Sequence, residues 1–137
     1  KREQWPEWKP YLDTCLLPVT GMSGAEQPWE ATQALEKLGK KMEWVEIPFK
    51  GRIVTYPALH YTFGADAGNG DYTAYIDALG RQLKRSGFKY VIVVTNDMDA
   101  DIAPSAGIDL WIGTAEDSEE NRQAVAERIT AMWARTE

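Results

Sequence analysis

Histidine and cysteine each occur once in this chain, as His60 and Cys15. These two scarcities remove much of catalytic and metal chemistry. A lone cysteine excludes an intramolecular disulfide and a zinc site built on several thiolates, and it favours a reducing compartment. A lone histidine means that any Ser-His-Asp or Cys-His pair must use His60, and no nucleophile in the chain carries a recognisable signature. Excess positive charge is also missing. Fifteen Lys and Arg stand against twenty-one Asp and Glu, a net charge of −6, so the surface repels phosphate backbones and no nucleic-acid partner is expected. The short basic clusters Lys37/Lys40/Lys41 and Arg81/Lys84/Arg85 fall in the last turns of expected helices, where cations suit the helix dipole. No run approaches the ~18 apolar residues of a membrane helix, and the opening Lys-Arg-Glu-Gln-Trp does not read as a signal peptide. A cytoplasmic protein with no membrane partner is expected. Nothing in the pattern calls for a cofactor, so none is expected.

What is present is a set of buried-strand and helix signals. Residues 90–94, Tyr-Val-Ile-Val-Val, form an uninterrupted apolar run between Gly87 and the closing Thr95-Asn96-Asp97. A short β-branched run without polar alternation suits a strand buried on both faces of a parallel sheet. Residues 14–19 and 108–112 read as further strands, with Pro18 placing the first near an edge or a bulge. Residues 44–49 and 52–56 read as a hairpin joined at Lys50-Gly51. Ala31, Ala34, Leu35, Leu38 and Met42 mark one amphipathic helix after Pro28. Tyr72, Tyr75, Ile76, Leu79 and Leu83 mark a second, opened near Asp71. Val125, Ile129, Met132 and Trp133 mark a third, with Asp117 and Ser118 competing as its N-cap. The expected fold is α/β: a three-layer sandwich with a mixed, partly parallel sheet of about five strands flanked by three main helices. It forms one domain over 1–137, with 1–12 as a candidate N-terminal arm in which Pro6 opens a short helix and Pro10 ends it.

Candidate sites follow from this architecture. In open α/β sheets ligands bind outside the carboxyl ends of the strands. That rule selects Thr20, Ser23, Asn96, Asp97 and Thr114 as ligand-binding candidates. The triad Asp97/Asp99/Asp101 fails the EF-hand pattern, since Ile102 and Ile108 stand where Gly and Glu are required. It reads as a solvated loop, and no metal site is assigned. Gly64, Gly68 and Gly70 match neither phosphate-loop spacing, and Asp66 and Asp71 would repel a phosphate. His60 reads as a structural residue, Cys15 as an inert core thiol, and Arg52 as an anion binder or an exposed turn residue. The six Trp include Trp5 and Trp8, which with Tyr11 space an aromatic arm and are interaction candidates.

Three stretches together carry a resemblance: residues 10–21 (Pro-Tyr-Leu-Asp-Thr-Cys-Leu-Leu-Pro-Val-Thr-Gly), residues 50–57 (Lys-Gly-Arg-Ile-Val-Thr-Tyr-Pro) with His60-Tyr61, and Trp-Ile-Gly at 111–113. They resemble the YpiF family of uncharacterised proteins from spore-forming Gram-positive bacteria, over nearly the whole chain. The resemblance implies a cytosolic bacterial protein and carries over no catalytic residues. Two functional readings remain open. One is a non-catalytic interaction or regulatory module, with a protein partner or a homo-oligomer. The other is a binding protein or enzyme for a nucleotide or sugar-like small molecule, with a polar site at the strand ends.

Overall fold

The structure, a computed structural model, describes residues 3–8, 10–61, 69–96, 103–113 and 116–135. The chain runs α1 (Trp5–Trp8), β1 (Thr14–Met22), α2 (Pro28–Phe49), β2 (Ile53–Thr55), β3 (Leu59–Tyr61), α3 (Asn69–Arg85), β4 (Tyr90–Thr95), β5 (Leu110–Ile112) and α4 (Glu119–Arg135). The strands lie in the order β2-β1-β4-β5, and β3 pairs with the carboxyl end of β1. This is the expected α/β sandwich of five strands and three main helices. The four strand pairings described are all parallel.

Alternation along the strands divides the core into two layers. Leu16, Ile92, Val94, Leu110 and Ile112 face α2 and α4, meeting Leu38, Met42, Val45, Val125, Ile129 and Met132. Cys15, Leu17, Val19, Val91, Val93 and Trp111 face the other way, toward Ile76 and Leu83 of α3. With α2 and α4 over one face of the sheet and α3 over the other, β4 is buried on both faces, which is why its sequence lacks polar alternation.

The expected hairpin does not form. Residues 44–49 complete α2, a helix of 22 residues with Pro48 inside its last turn, and β2 pairs parallel to β1. The reason lies in the buried stripe. Leu38, Lys41, Met42, Val45 and Phe49 recur at helical spacing, and all but the half-buried Phe49 are buried. That stripe outweighs the loss of one hydrogen bond at Pro48. The stripe expected from Leu35 shifts accordingly, and Leu35 is exposed.

Pro18 lies opposite Val94 on an inner strand and not at an edge, and the expected bulge follows it, as a register irregularity of β1 between Val19 and Met22. The Leu16 carbonyl accepts from Tyr56 N, and Val19 O accepts from Asn96 N. Even-numbered residues of β1 therefore direct their backbone groups toward β2 and β3. Leu16 pairs with Thr55 and Val19 with Leu59, so the nitrogen of Pro18 faces the gap between β2 and β3. No donor is needed there.

At the amino edge, Arg52 makes two hydrogen bonds to Asp13, at 2.9 and 3.1 Å, and its guanidinium lies 4.1 Å from the Trp133 ring centroid. Arg52 is thus a packing residue at the amino edge and not an exposed turn residue. Trp133 in turn donates its indole N–H to Thr14 Oγ1 at 2.9 Å and meets Phe49 edge-on. On the other face, residues 103–109 are clamped to α3. Asp77 accepts from Ser105 Oγ and Gly107 N, Lys84 bridges to Asp109, and Gly80 packs directly on Gly107. The hydrogen bond from Ser105, then that from Gly107, holds Asp77 below its usual carboxylate range.

Candidate functional site

The first strand leads by way of α2 to β2 on one side, and the chain then crosses to β4 on the other. The carboxyl ends of β1 and β4 therefore form the topological switch point, where crevices open in doubly wound sheets. Val19 and Thr95 are register partners, so Thr20 and Asn96 are neighbours one residue beyond. Two of the expected site residues are thereby brought together. Ser23 lies in the following loop, while Asp97 and Thr114 fall outside the described residues, as do the rest of the acidic loop through Asp101 and the glycines Gly64 and Gly68. α3 begins at Asn69, two residues before the expected Asp71.

Each described member has a partner. Thr20 Oγ1 lies 2.8 Å from His60 Nδ1. Among the described residues no carboxylate orients that ring, and it reaches neither Ser23 nor Cys15, so the nucleophilic triad arrangement is not assembled here. Cys15 is sealed in the core, its thiol pushed up to about 12 by burial. Ser23 and Gly24 donate their backbone N–H groups to the Glu26 carboxylate at 2.9 Å each, and Ser23 Oγ adds a third bond. These bonds, that from Ser23 N foremost, hold Glu26 below its usual range. The loop amides that would cradle a phosphate after the first strand are already occupied by a side chain of the same loop.

Asn96 donates to the Ala34 carbonyl of α2 at 2.8 Å and accepts from Lys41 Nζ at 3.4 Å, while Lys41 also donates to Thr95 O at 3.3 Å. Lys41 is 1 % exposed. Burial, and then the charge of Lys37, pull its pKa from 10.5 down to about 8. An amine so placed carries both protonation states near neutral pH. It can anchor an anion when charged or accept a proton when neutral. By sequence Lys41 reads as a solvated helix-end cation. The signal that identifies it is its spacing within the 38-41-42-45-49 stripe.

Beside Lys41 a cleft opens between α2 and the start of α4. One hollow of about 250 Å³ is lined by Lys37, Lys40, Lys41, Trp44, Glu116 and Asp117. A second, of about 410 Å³, shares Lys40, Trp44 and Asp117 and continues to Ile47, Pro48 and Arg122. Trp44 is a fixed wall, its indole N–H donating to Asp117 Oδ1 at 3.2 Å. Asp117 is thereby committed to the cleft, and Ser118 caps α4 through the amide of Asn121 at 3.0 Å. Among the described residues no group of three or more His, Cys, Asp or Glu side chains is placed to hold a metal. No described helix is long and apolar enough to cross a membrane.

No curated protein and no solved structure matches the chain. A family profile does match, over residues 3–130, and that family is described as a protein of unknown function, DUF2487. With nearly its whole length matched, the chain belongs to the DUF2487 family.

Proposed function

We propose that the protein binds a small molecule in the cleft between α2 and the start of α4, with Lys41 at its inner end. The supporting observation is the coincidence of three features. The cleft is of ligand-binding size, it has an aromatic wall, and it contains a buried amine whose hydrogen bonds reach the carboxyl end of β4. Binding sites of small ligands are concave, largely apolar, and carry few fixed polar groups. Asn96 ties this cleft to the strand ends through Lys41 and the Ala34 carbonyl, while Thr20 and His60 bond to each other outside its lining. Ser23 belongs to the self-bonded loop. Asp97 and Thr114, outside the described residues, remain candidates of this reading, for which the ligand is a nucleotide or sugar-like molecule. The resemblance to the YpiF family, and the cytosolic, spore-forming bacterial setting it implies, belong to this proposal.

Native mass spectrometry of the protein as purified, beside its denatured mass, tests the reading. The expected result is added native mass that is lost on denaturation and absent from Gln123→Trp, which fills the 410 Å³ hollow. The same added mass in Gln123→Trp, or none in either protein, counts against it.

A second reading has its own observation. Trp29 and Leu35, in the first two turns of α2, are 63 % and 46 % exposed. Exposed aromatic residues suit a non-catalytic interaction or regulatory module that docks a protein partner or a second copy. Trp5 and Trp8 lie on α1 and belong to this reading. Sedimentation velocity separates the two. A dimer abolished by Trp29→Ser with Leu35→Ser favours the module, and an unchanged monomer favours the cleft.

A further inference from the structure

Lys41 is withdrawn from water, and among the described residues its acceptors are neutral. Its ammonium group has three protons, and two meet the Thr95 carbonyl and Asn96 Oδ1, at the long distances of 3.3 and 3.4 Å. Among the described residues no carboxylate pairs with it. A buried cation ordinarily has a counter-ion. The hollow that Lys41 lines contains two more lysines, Lys37 and Lys40. Of its two carboxylates, Asp117 is engaged by the Trp44 indole and stands 3.7 Å from Arg122, and Glu116 is exposed to water. The other anion-binding element of such folds, the loop after the first strand, has its amides taken by Glu26. In the hollow that Lys41 lines, positive charge is therefore concentrated on α2.

We infer that the ligand of this cleft carries an anionic group, a carboxylate or a phosphoryl group, and that Lys41 is its counter-ion, flanked by Lys37 and Lys40. The inference rests on the cleft reading and names the ligand's chemical class. An anion seated on Lys41 supplies the missing charge, favours the ammonium form and reverses the effect of burial. Trp44, which walls both hollows, and Ile47 of the adjoining one then hold the body of the ligand.

The test is a titration of the full chain, labelled with ¹³C at lysine Cε, with inorganic phosphate and separately with succinate. The Lys41 signal is assigned by its loss in Lys41→Met. The expected result is a saturable shift of that signal by one of the two anions, with its titration midpoint raised by about one unit or more in the bound form. Response to phosphate alone assigns a phosphoryl group, and response to succinate alone assigns a carboxylate. Binding is lost in Lys41→Met and retained in Lys41→Arg, with circular dichroism confirming that both fold. The inference is overturned if both anions give only the unsaturable response shared by exposed lysines, or if Lys41→Met binds as tightly as the parent. Saturable shifts at Trp44 and Asp117 with glucose, and none with either anion, would overturn it while preserving the cleft reading.

Discussion

A lysine ammonium group buried against neutral oxygens destabilises the fold that buries it, and Lys41 is such a group. Its folded pKa of about 8 lies below the ordinary 10.5. The unfolded chain therefore binds the extra proton more readily between those values, and stability rises with pH across that window. The penalty is fully present below pH 8 and gone above 10.5. Lys41→Met keeps the length and removes the charge. It is expected to stabilise the protein at pH 7 by up to about 3 kcal/mol, with the advantage shrinking toward zero at pH 10.5. Urea unfolding of both proteins at the two pH values measures this, and a variant that is less stable at pH 7 contradicts it. A residue that costs stability is what a functional site predicts. Glu26 makes a second prediction at this scale. Glu26→Ala removes the acceptor of the Ser23 and Gly24 amides, so both should exchange with solvent deuterium at least tenfold faster than in the parent, on the order of one lost hydrogen bond. Unchanged protection would show that the loop is held by something else. Lys41 was legible in the sequence as a residue but not as a buried one, because charge at a helix end reads as solvated unless its place in the apolar stripe is seen.

Among the elements, β4 and α4 were the most legible, since an apolar run and an amphipathic stripe with a clear start signal depend on local physics alone. The strand reading of residues 44–49 failed because Pro48 and Gly51 are strong local breakers, whereas the packing that extends α2 to Phe49 is long-range, through Trp133 and Ile53. Pro18 marks the expected bulge, yet its place on an inner strand was not legible. Its tolerance depends on an interruption between β2 and β3 that no local pattern reveals. α3 and the segment entering β5 meet backbone to backbone at Gly80 and Gly107. A Cβ on Gly80 would overlap the Gly107 carbonyl, and one on Gly107 would overlap the Asp77 carbonyl. Both obstacles are backbone and cannot move aside as a side chain can. Gly80→Ala should cost about 3 kcal/mol by overpacking, against the gain that alanine gives an exposed helix. A thermal melt at or above the parent's midpoint would refute the close contact.

For the molecule as a whole, the layers were legible in the sequence, because buried strands alternating with helices admit few topologies. Thr20 and Asn96 do lie side by side, one residue beyond the register partners Val19 and Thr95. The cleft was not foreseen, since Trp44 and Asp117 are 73 residues apart and only the side-by-side packing of α2 and α4 unites them. The length of α2 contributes too. At ~33 Å it exceeds the ~20 Å of β4, so its first turns project past the strand ends while Lys41 meets the end of β4. Arg122 stands across the cleft from Lys40. If the site is the cleft, Arg122→Ala should weaken ligand binding several-fold without altering the fold, because its side chain is exposed on α4 and outside the core. Unaltered affinity, read by calorimetry with the ligand that native mass spectrometry identifies, would move the site elsewhere. The most direct test of the central claim is the indole ¹H–¹⁵N signal of Trp44, assigned through Trp44→Phe and followed as the protein meets a library of small anionic and neutral molecules. The account predicts that molecules which bind shift this signal together with the amides of Asp117 and Arg122. Binding that leaves Trp44 unmoved and shifts Trp29 and Leu35 instead would contradict it.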